Sequence, residues 1–196
     1  MKLFCESNWI SFDDYLTLLD GQNFLGISVY HRSDWLLATS SAFNCEVRCV
    51  KTSVEGNIHS ITPFLYKKKG PFKLVGSSLR GTYTEFAGPL FIQDLSDKEM
   101  CEVIKSQHQL ISKDCDYLEW RVESMAYGNH TWGKILEDLG YQFEKIPSLL
   151  IDLSQGEEKL WTSFTGRART AIRKAEKAKL TAKIIQPDQN WIESYY

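Results

Sequence analysis

The chain has 196 residues, of which 43% are hydrophobic, 13% aromatic and 24% charged. Its 23 Lys and Arg residues nearly balance 25 Asp and Glu residues, and the net charge of -2 excludes a general polyanion binder, so any anion site must be local. The length and apolar content allow one large or two small domains. No segment approaches the roughly 20 apolar residues of a membrane span, and the first residues lack the apolar run of a signal peptide. These features predict a cytoplasmic protein.

The first predicted elements are two helices and three strands. Ser11 is a good N-cap for a helix that ends at Gly21, and a second helix is predicted over Asp34–Phe43. Alternating apolar residues and turn residues then predict a β-rich block. Its strands are Glu46–Thr52, Ile58–Lys67 and Phe72–Val75, with turns at 55–57 and 68–71.

Helices and strands alternate in the next part of the chain. Ser96 and Glu99 form a capping-box pattern that predicts a helix to Ser112. A strand over Asp116–Val122, a helix over Thr131–Leu139 closed by Gly140, and a strand over Tyr141–Leu153 bent near Pro147 follow. This order predicts an α/β or α+β layered fold, with one mixed β-sheet flanked by helices.

The order of elements begins again after Asp152. Ser154 and Glu157 predict a second capping box for a helix over Glu157–Phe164, followed by a basic helix over Arg167–Leu180. A strand over Thr181–Ile185 and a helix opened by Pro187 complete the pattern. That helix stops after about two turns, with Trp191, Tyr195 and Tyr196 needing cover. We therefore expect a first domain over 1–153 and the opening elements of a second, incomplete domain over 154–196.

The cysteines and histidines do not predict a metal site. The cysteine count and the absence of a CxxC pair favour reduced, buried thiols over disulfides, and Cys101 and Cys115 are expected to be buried. Cys45 and Cys49 share one face of a predicted strand, but no second ligand pair accompanies them, and the histidines lack metal-ligand spacing. The residues concerned are Cys5, Cys45, Cys49, Cys101, Cys115, His31, His59, His108 and His130.

The basic helix concentrates one charge more than any other segment. On a helical wheel its cations occupy one half of the circumference, and alanines with Phe164 and Ile172 occupy the other half. Arginine binds carboxylates and phosphates through a planar two-pronged fork, so this half is a candidate anion site. The alternative is an ordinary solvated amphipathic surface. The cations are Arg167, Arg169, Arg173, Lys174 and Lys177.

Three segments resemble the FemAB family of the Gcn5-related N-acyltransferase (GNAT) superfamily. The run Leu160–Lys177 (LWTSFTGRARTAIRKAEK) is similar to the family's arginine-rich entry into its second acyltransferase-like half. The hydrophobic segment Leu149–Leu153 precedes that helix as it does in the family. Upstream, Pro63–Lys67, a glycine-bearing loop and Tyr83–Phe91 (YTEFAGPLF) resemble the central strands and the Gly-Pro-Leu-Phe turn of the first half.

The resemblance implies two repeats of the acyltransferase fold with a cleft between them. Family members transfer amino acids from aminoacyl-tRNA to a peptidoglycan precursor, and relatives transfer other acyl groups. The chain also departs from the pattern: members are typically about twice as long, and a missing C-terminal domain would leave these residues weakly active or inactive. The pyrophosphate-binding loop of the superfamily is absent from the sequence, so no cofactor site is identifiable, and either aminoacyl-tRNA or acyl-CoA remains a candidate donor.

The resemblance assigns candidate roles to particular residues. Arg169, with Arg167 and Arg173 as neighbours, would bind an anionic acceptor such as the diphosphate of a peptidoglycan precursor, and Trp161 would line the pocket. Arg169 and Arg173 are four residues apart and share a face, and Glu176 is an alternative ion-pair partner for either.

A loop further upstream offers a second group of candidates. Tyr83 and Thr84 follow Gly81, where side chains can reach a cleft. Glu85 is a candidate general base, since a carboxylate in an apolar pocket has its pKa raised towards neutral. A carboxylate that is simply solvated is the alternative.

Two functions from different classes are compatible with these features. The first is a FemAB-like N-acyltransferase that positions an amine acceptor against an activated acyl donor, a reaction that requires no fixed nucleophile. The second is a non-catalytic module on a degenerate acyltransferase fold, which binds RNA or a protein partner through the basic helix.

Overall fold

The computed structural model describes residues 4–122, 132–142, 144, 146, 147 and 151–184. The chain divides into two compact units, Met1–Glu144 and Lys145–Tyr196. The sequence predicts a domain boundary at 153/154.

The first unit contains most of the elements that the sequence predicts. A short 3-10 turn, Val29–His31, precedes the second helix. The strands and helices, in chain order, are β1 Cys5–Ile10, α1 Phe12–Gly21, α2 Ser33–Phe43, β2 Glu46–Val54, β3 Asn57–Lys69, β4 Phe72–Gly76, β5 Leu90–Phe91, α3 Asp97–Ile111, β6 Tyr117–Glu119 and α4 Trp132–Asp138.

The helix boundaries follow the predicted caps. The Ser11 hydroxyl accepts a hydrogen bond from the Asp14 N–H at 3.0 Å and starts α1. Ser96 and Glu99 form both bonds of the predicted capping box at the start of α3. Side chains that satisfy the free N–H groups of the first turn define where a helix begins, which is why these limits are readable from sequence.

The strands form one mixed sheet in the order β1-β2-β3-β4-β6, and β5 also pairs with β3. Every described pairing between strands is antiparallel except β4 with β6, which is parallel, with Leu74 opposite Tyr117 and Gly76 opposite Glu119. This arrangement confirms the expected α/β class with a mixed sheet and helices.

Helices cover both faces of the sheet. On β2, Val50 packs in a cluster with Ile111 of α3, whereas Cys49 packs with Tyr15 of α1 and Leu36 of α2. Neighbouring residues of a strand point to opposite faces, so α3 covers one face and the pair α1 and α2 covers the other. Each of these five residues is at most 2% exposed, so the sheet is the middle layer of the core.

One edge of β3 is open at its centre. The β5 strand pairs with residues 60–61 of β3, and β4 pairs with residues 65–69. The β2 strand occupies the other edge of β3. On this edge, no strand among the described residues pairs with residues 62–64. Proline occurs in sheets where a ladder bond is not required, and Pro63 lies at this opening. The loop from 77 to 89 joins β4 to β5 past this point.

Four expectations for the first unit need correction. β1 and the two-residue β5 were not predicted, and β6 is shorter than the predicted strand Asp116–Val122. The described residues of the predicted strand Tyr141–Leu153 (141, 142, 144, 146, 147 and 151–153) contain no strand. Gly140 does follow α4 with the positive φ of 86° expected of a helix-terminating glycine.

The cysteine predictions are only partly right. All five cysteines are free, and Cys45 and Cys49 are buried. Cys101 and Cys115, which were expected to be buried, are only partly covered. Burial raises the pKa of the Cys49 thiol to about 12, so this group behaves as a small apolar side chain at neutral pH.

The described residues of the second unit form two helices. They are α5 Glu157–Ser163 and α6 Gly166–Lys177, preceded by a 3-10 turn at Leu153–Gln155. The predicted basic helix is confirmed, and the Thr165 hydroxyl caps it by accepting from the Ala168 N–H at 3.2 Å. No residue of either helix is buried.

Two predictions for this unit are wrong, and one lies outside the described residues. The predicted Ser154–Glu157 capping box does not form: Gly156 precedes α5 without a side-chain cap, and Asp152 instead accepts from the Ser154 N–H at 2.9 Å. Residues 181–184 are not a strand. The helix predicted from Pro187 falls entirely outside the described part.

Candidate functional site

The parallel strands β4 and β6 stay joined beyond their carboxyl ends. The Ser77 N–H donates to the Glu119 carbonyl at 3.0 Å. The Ser77 hydroxyl accepts from the Arg121 N–H at 3.0 Å. The carboxyl end of a parallel pair at a change of strand order is where open α/β sheets bind ligands. We therefore treat this region as the candidate site of the first unit.

Glu119 organises the charges at this end of the sheet. One carboxylate oxygen accepts from the Arg80 backbone N–H at 3.0 Å, and the other accepts from the Arg121 Nε at 2.9 Å. The Glu119 and Arg121 side chains are 15% and 21% exposed, so this ion pair is partly shielded from water. The carboxylate thus holds both the backbone of the loop and the guanidinium of Arg121.

Tyr117 lies beside these charges. Burial, and next the nearby Glu119 carboxylate, raise the pKa of the Tyr117 hydroxyl, while the positive charges of Arg80 and Arg121 act in the opposite direction. Leu118 packs in the cluster under α3, so Tyr117 and Glu119 point to the opposite face of the sheet. The Tyr117 side chain is 49% exposed there.

Ser78 is the unusual polar residue of the loop. It is fully buried, and its hydroxyl is the one buried side-chain oxygen or nitrogen without a hydrogen-bond partner in the described part of the chain. Gly76 permits this backbone path, because a Cβ there would lie 2.7 Å from the Ser78 carbonyl oxygen. A buried hydroxyl without a partner is costly, so it is a natural candidate for contact with a ligand.

The predicted loop residues alternate between surface and interior. Thr84 is 3% exposed, and its hydroxyl accepts from the Trp35 Nε1 at 2.9 Å, so it anchors the loop. Tyr83 is 81% exposed with a positive φ of 53°, and its ring centroid lies 5.9 Å from that of Phe43. Glu85 is also exposed, so the apolar pocket assumed for a general base does not surround it.

Arg169 in the basic helix has a structural role. Its Nη1 donates to the carbonyl oxygens of Phe164 at 2.9 Å and Thr162 at 3.1 Å, with that of Trp161 at 3.5 Å. These carbonyls belong to the C-terminal end of α5, where helices leave unsatisfied acceptors. The predicted anion-binding role would therefore fall to the other guanidinium groups first.

The remaining cations of α6 face solvent. Arg167, Arg173, Lys174 and Lys177 are all exposed, and the described residues provide no salt bridge to any of them, including from Glu176. The Arg173 guanidinium carbon lies 5.3 Å from the centroid of the partly buried Trp161 ring. The structure thus gathers four exposed cations and one aromatic ring on the second unit, without enclosing them.

Sequence reasoning missed the charged group at the carboxyl ends of β4 and β6. Tyr117 and Glu119 on β6 and Arg121 two residues after it alternate in sequence, which is a readable pattern for a shared face. Their contact with Arg80 depends on the parallel pairing of β4 with β6. The sequence does not predict that pairing, because β6 is short and no clear crossover pattern precedes it.

Neither metal-binding nor membrane-spanning features occur in the described ranges. These residues contain no group of three or more His, Cys, Asp or Glu side chains placed to hold a metal ion. Their helices also lack the length and apolar character needed to cross a bilayer. The chain matches no family model, no curated protein and no solved structure.

Proposed function

We propose that the protein is an N-acyltransferase of FemAB type, with a fold related to the GNAT superfamily. The proposal rests on the three segments that resemble the family, and is supported by the mixed sheet with helices on both faces. The single structural observation that carries it is Ser78, a buried hydroxyl without a described partner, two residues after the carboxyl end of β4.

The chemistry requires two bound substrates and a donor of a hydrogen bond. An acceptor amine attacks the activated acyl carbonyl, the carbonyl oxygen gains negative charge, and the bond to the donor's oxygen or sulfur then breaks. The amine loses one proton, which the leaving group takes up. In this proposal the Ser78 hydroxyl donates to the developing oxyanion, a contribution that is typically large in acyl transfer. The rest of the rate acceleration comes from holding the amine and the acyl carbonyl next to each other in the right orientation.

The substrates follow from the family resemblance. The donor is aminoacyl-tRNA or acyl-CoA, and the acceptor is an amine of a peptidoglycan precursor peptide, consistent with a cytoplasmic location. Within the second unit, the exposed cations of α6 and Trp161 are the proposed anion-binding groups. Glu85 stays a candidate base, although its exposure means that it would act from the surface of the loop.

The test is a single-turnover assay of the full chain with a labelled acyl donor and an amine acceptor. Wild-type protein is expected to transfer label, and Ser78→Ala to be slower by about 100-fold, the usual effect of removing one oxyanion donor. Ser112→Ala removes an exposed serine and should keep the wild-type rate. No transfer from either donor class would reject the acyltransferase function. An unchanged rate in Ser78→Ala would reject the role of Ser78 as the oxyanion donor.

A second candidate, a module that binds RNA through α6, is favoured by the exposure of its cations. Neutralising four phosphates on a single strand gives a salt slope of about -3 in log–log form, at about -0.7 per contact. Binding of a fluorescent single-stranded RNA to the full chain, measured across salt concentrations, separates the candidates. A steep slope that Arg173→Ala reduces supports the module, whereas no RNA binding excludes it.

A further inference from the structure

We propose that Arg80 and Arg121, together with Tyr117, form a binding site for a small oxyanion at the carboxyl ends of β4 and β6. The ligand class is a carboxylate or a phosphate. This site lies in the first unit and shares no residue with the basic helix of the second.

The backbone fixes the position of Arg80. Its N–H is held by Glu119, so the residue is anchored through the main chain while its side chain is exposed. The guanidinium therefore extends from a fixed point without being needed for the fold of the loop.

Glu119 also fixes the orientation of the Arg121 guanidinium. The bond from Arg121 Nε to the carboxylate at 2.9 Å sets the plane of the group, and the Ser77 hydroxyl holds the backbone of the same residue at 3.0 Å. A preoriented planar fork is what bidentate recognition of a carboxylate or phosphate requires.

The charge balance favours an anion. Two guanidinium groups and one carboxylate leave one net positive charge, and both carboxylate oxygens already accept hydrogen bonds from Arg80 and Arg121. Arg80 and Arg121 meet at the same Glu119 carboxylate, Arg80 through its backbone N–H and Arg121 through its Nε, and the positive charge of each acts to lower the pKa of the Tyr117 hydroxyl. The half-exposed Tyr117 side chain lies beside these groups.

This inference does not depend on acyl transfer, because equilibrium binding of an oxyanion requires no donor substrate. The transfer assay above could fail while the anion site exists, and the reverse also holds. Two sources of the ligand are distinguished by the probes, inorganic phosphate for a phosphoryl group and acetate for a carboxylate.

The experiment measures binding of each probe to the full chain at low ionic strength by calorimetry and by tyrosine fluorescence. Arg80→Ala keeps the structural N–H bond to Glu119 and is expected to weaken binding about tenfold or more, the usual effect of losing a charge-assisted hydrogen bond. Arg121→Gln should weaken it as well. Thermal unfolding of each variant checks that the fold is intact.

Arg48→Ala is the matched control. Arg48 lies on β2 in the register position opposite Phe64, whose side chain packs under α3, so it occupies the other face of the sheet. Wild-type affinity in Arg48→Ala with a loss in Arg80→Ala supports the site, and the stronger of the two probes names the ligand class. No binding of either probe to wild-type protein, or equal losses of affinity in Arg80→Ala and Arg48→Ala, would overturn the inference.

Discussion

His31 is the buried titratable residue whose protonation state the structure defines most clearly. The Ser28 N–H donates to the His31 Nδ1 at 3.2 Å, so that nitrogen carries a lone pair and the proton resides on Nε2. The Nε2 group then donates to the Gly88 carbonyl at 3.1 Å. The neutral imidazole thus ties the 3-10 turn to the loop that precedes β5.

This geometry predicts acid sensitivity. Burial lowers the pKa of His31 from 6.5 to about 4 in the folded protein, whereas the unfolded chain titrates near the ordinary value. The unfolded state therefore binds more protons between these values, and the free energy of unfolding falls as the pH decreases from 6.5 to 4. The expected loss is about 3 kcal/mol, at about 1.4 kcal/mol per pH unit.

Urea unfolding from pH 7 to pH 4 measures this loss. A His31→Gln variant should be less stable at pH 7 and should lose the part of the slope that His31 contributes. His59→Gln, at a histidine on β3 whose Nδ1 lies 2.9 Å from the Asn57 carbonyl oxygen, is the matched control variant. Identical slopes in wild type and His31→Gln would contradict the assignment.

Helix caps explain how much of the secondary structure the sequence predicted. Ser11, Ser96 and Thr165 start α1, α3 and α6 through their own hydroxyl groups, so local sequence was sufficient. Local sequence did not predict the structure at Ser154 correctly, because the Ser154 N–H donates to the Asp152 carboxylate in a 3-10 turn. It also failed to show that Arg169 completes the end of α5, because that contact depends on the angle between two helices.

The Arg169 contact predicts a local effect on α5. Arg169→Ala removes the donor to the carbonyls of Thr162 and Phe164, and is expected to destabilise the end of α5 by about 1 kcal/mol. Hydrogen exchange of the amides in 157–164 in the full chain should accelerate about fivefold. Lys174→Ala, which removes an exposed cation from the same helix, should leave exchange there nearly unchanged. Equal acceleration in both variants would argue against the cap.

At the scale of the whole molecule, the sequence indicated the layers but not the strand order. Periodicity identified β2, β3 and β4, because hairpin turns join strands that are neighbours in the chain. Two features depend on contacts between distant residues: the edge strand β1 and the parallel pairing of β4 with β6. The candidate site at the ends of β4 and β6 was missed for the same reason, whereas the basic helix is a local pattern and was found.

A buried polar network fixes α3 against the sheet. Gln107 is fully buried; its Nε2 donates to the Thr52 hydroxyl at 2.9 Å, and its Oε1 accepts from the Thr62 hydroxyl at 3.0 Å. One side chain thus joins α3 to β2 and β3 at the centre of the fold. A buried amide stabilises the fold only when its hydrogen bonds are formed, because a buried donor or acceptor without a hydrogen bond lowers the free energy of unfolding.

Gln107→Ala is therefore expected to lower the free energy of unfolding by about 2–4 kcal/mol, through the cavity and the unpaired Thr62 hydroxyl. Gln109→Ala is the matched control, since Gln109 is exposed on the same helix and the gain in helix propensity is the same. Equilibrium unfolding in urea measures both variants. A difference below about 0.5 kcal/mol between them would mean that the network does not hold α3, because surface substitutions alone stay within that range.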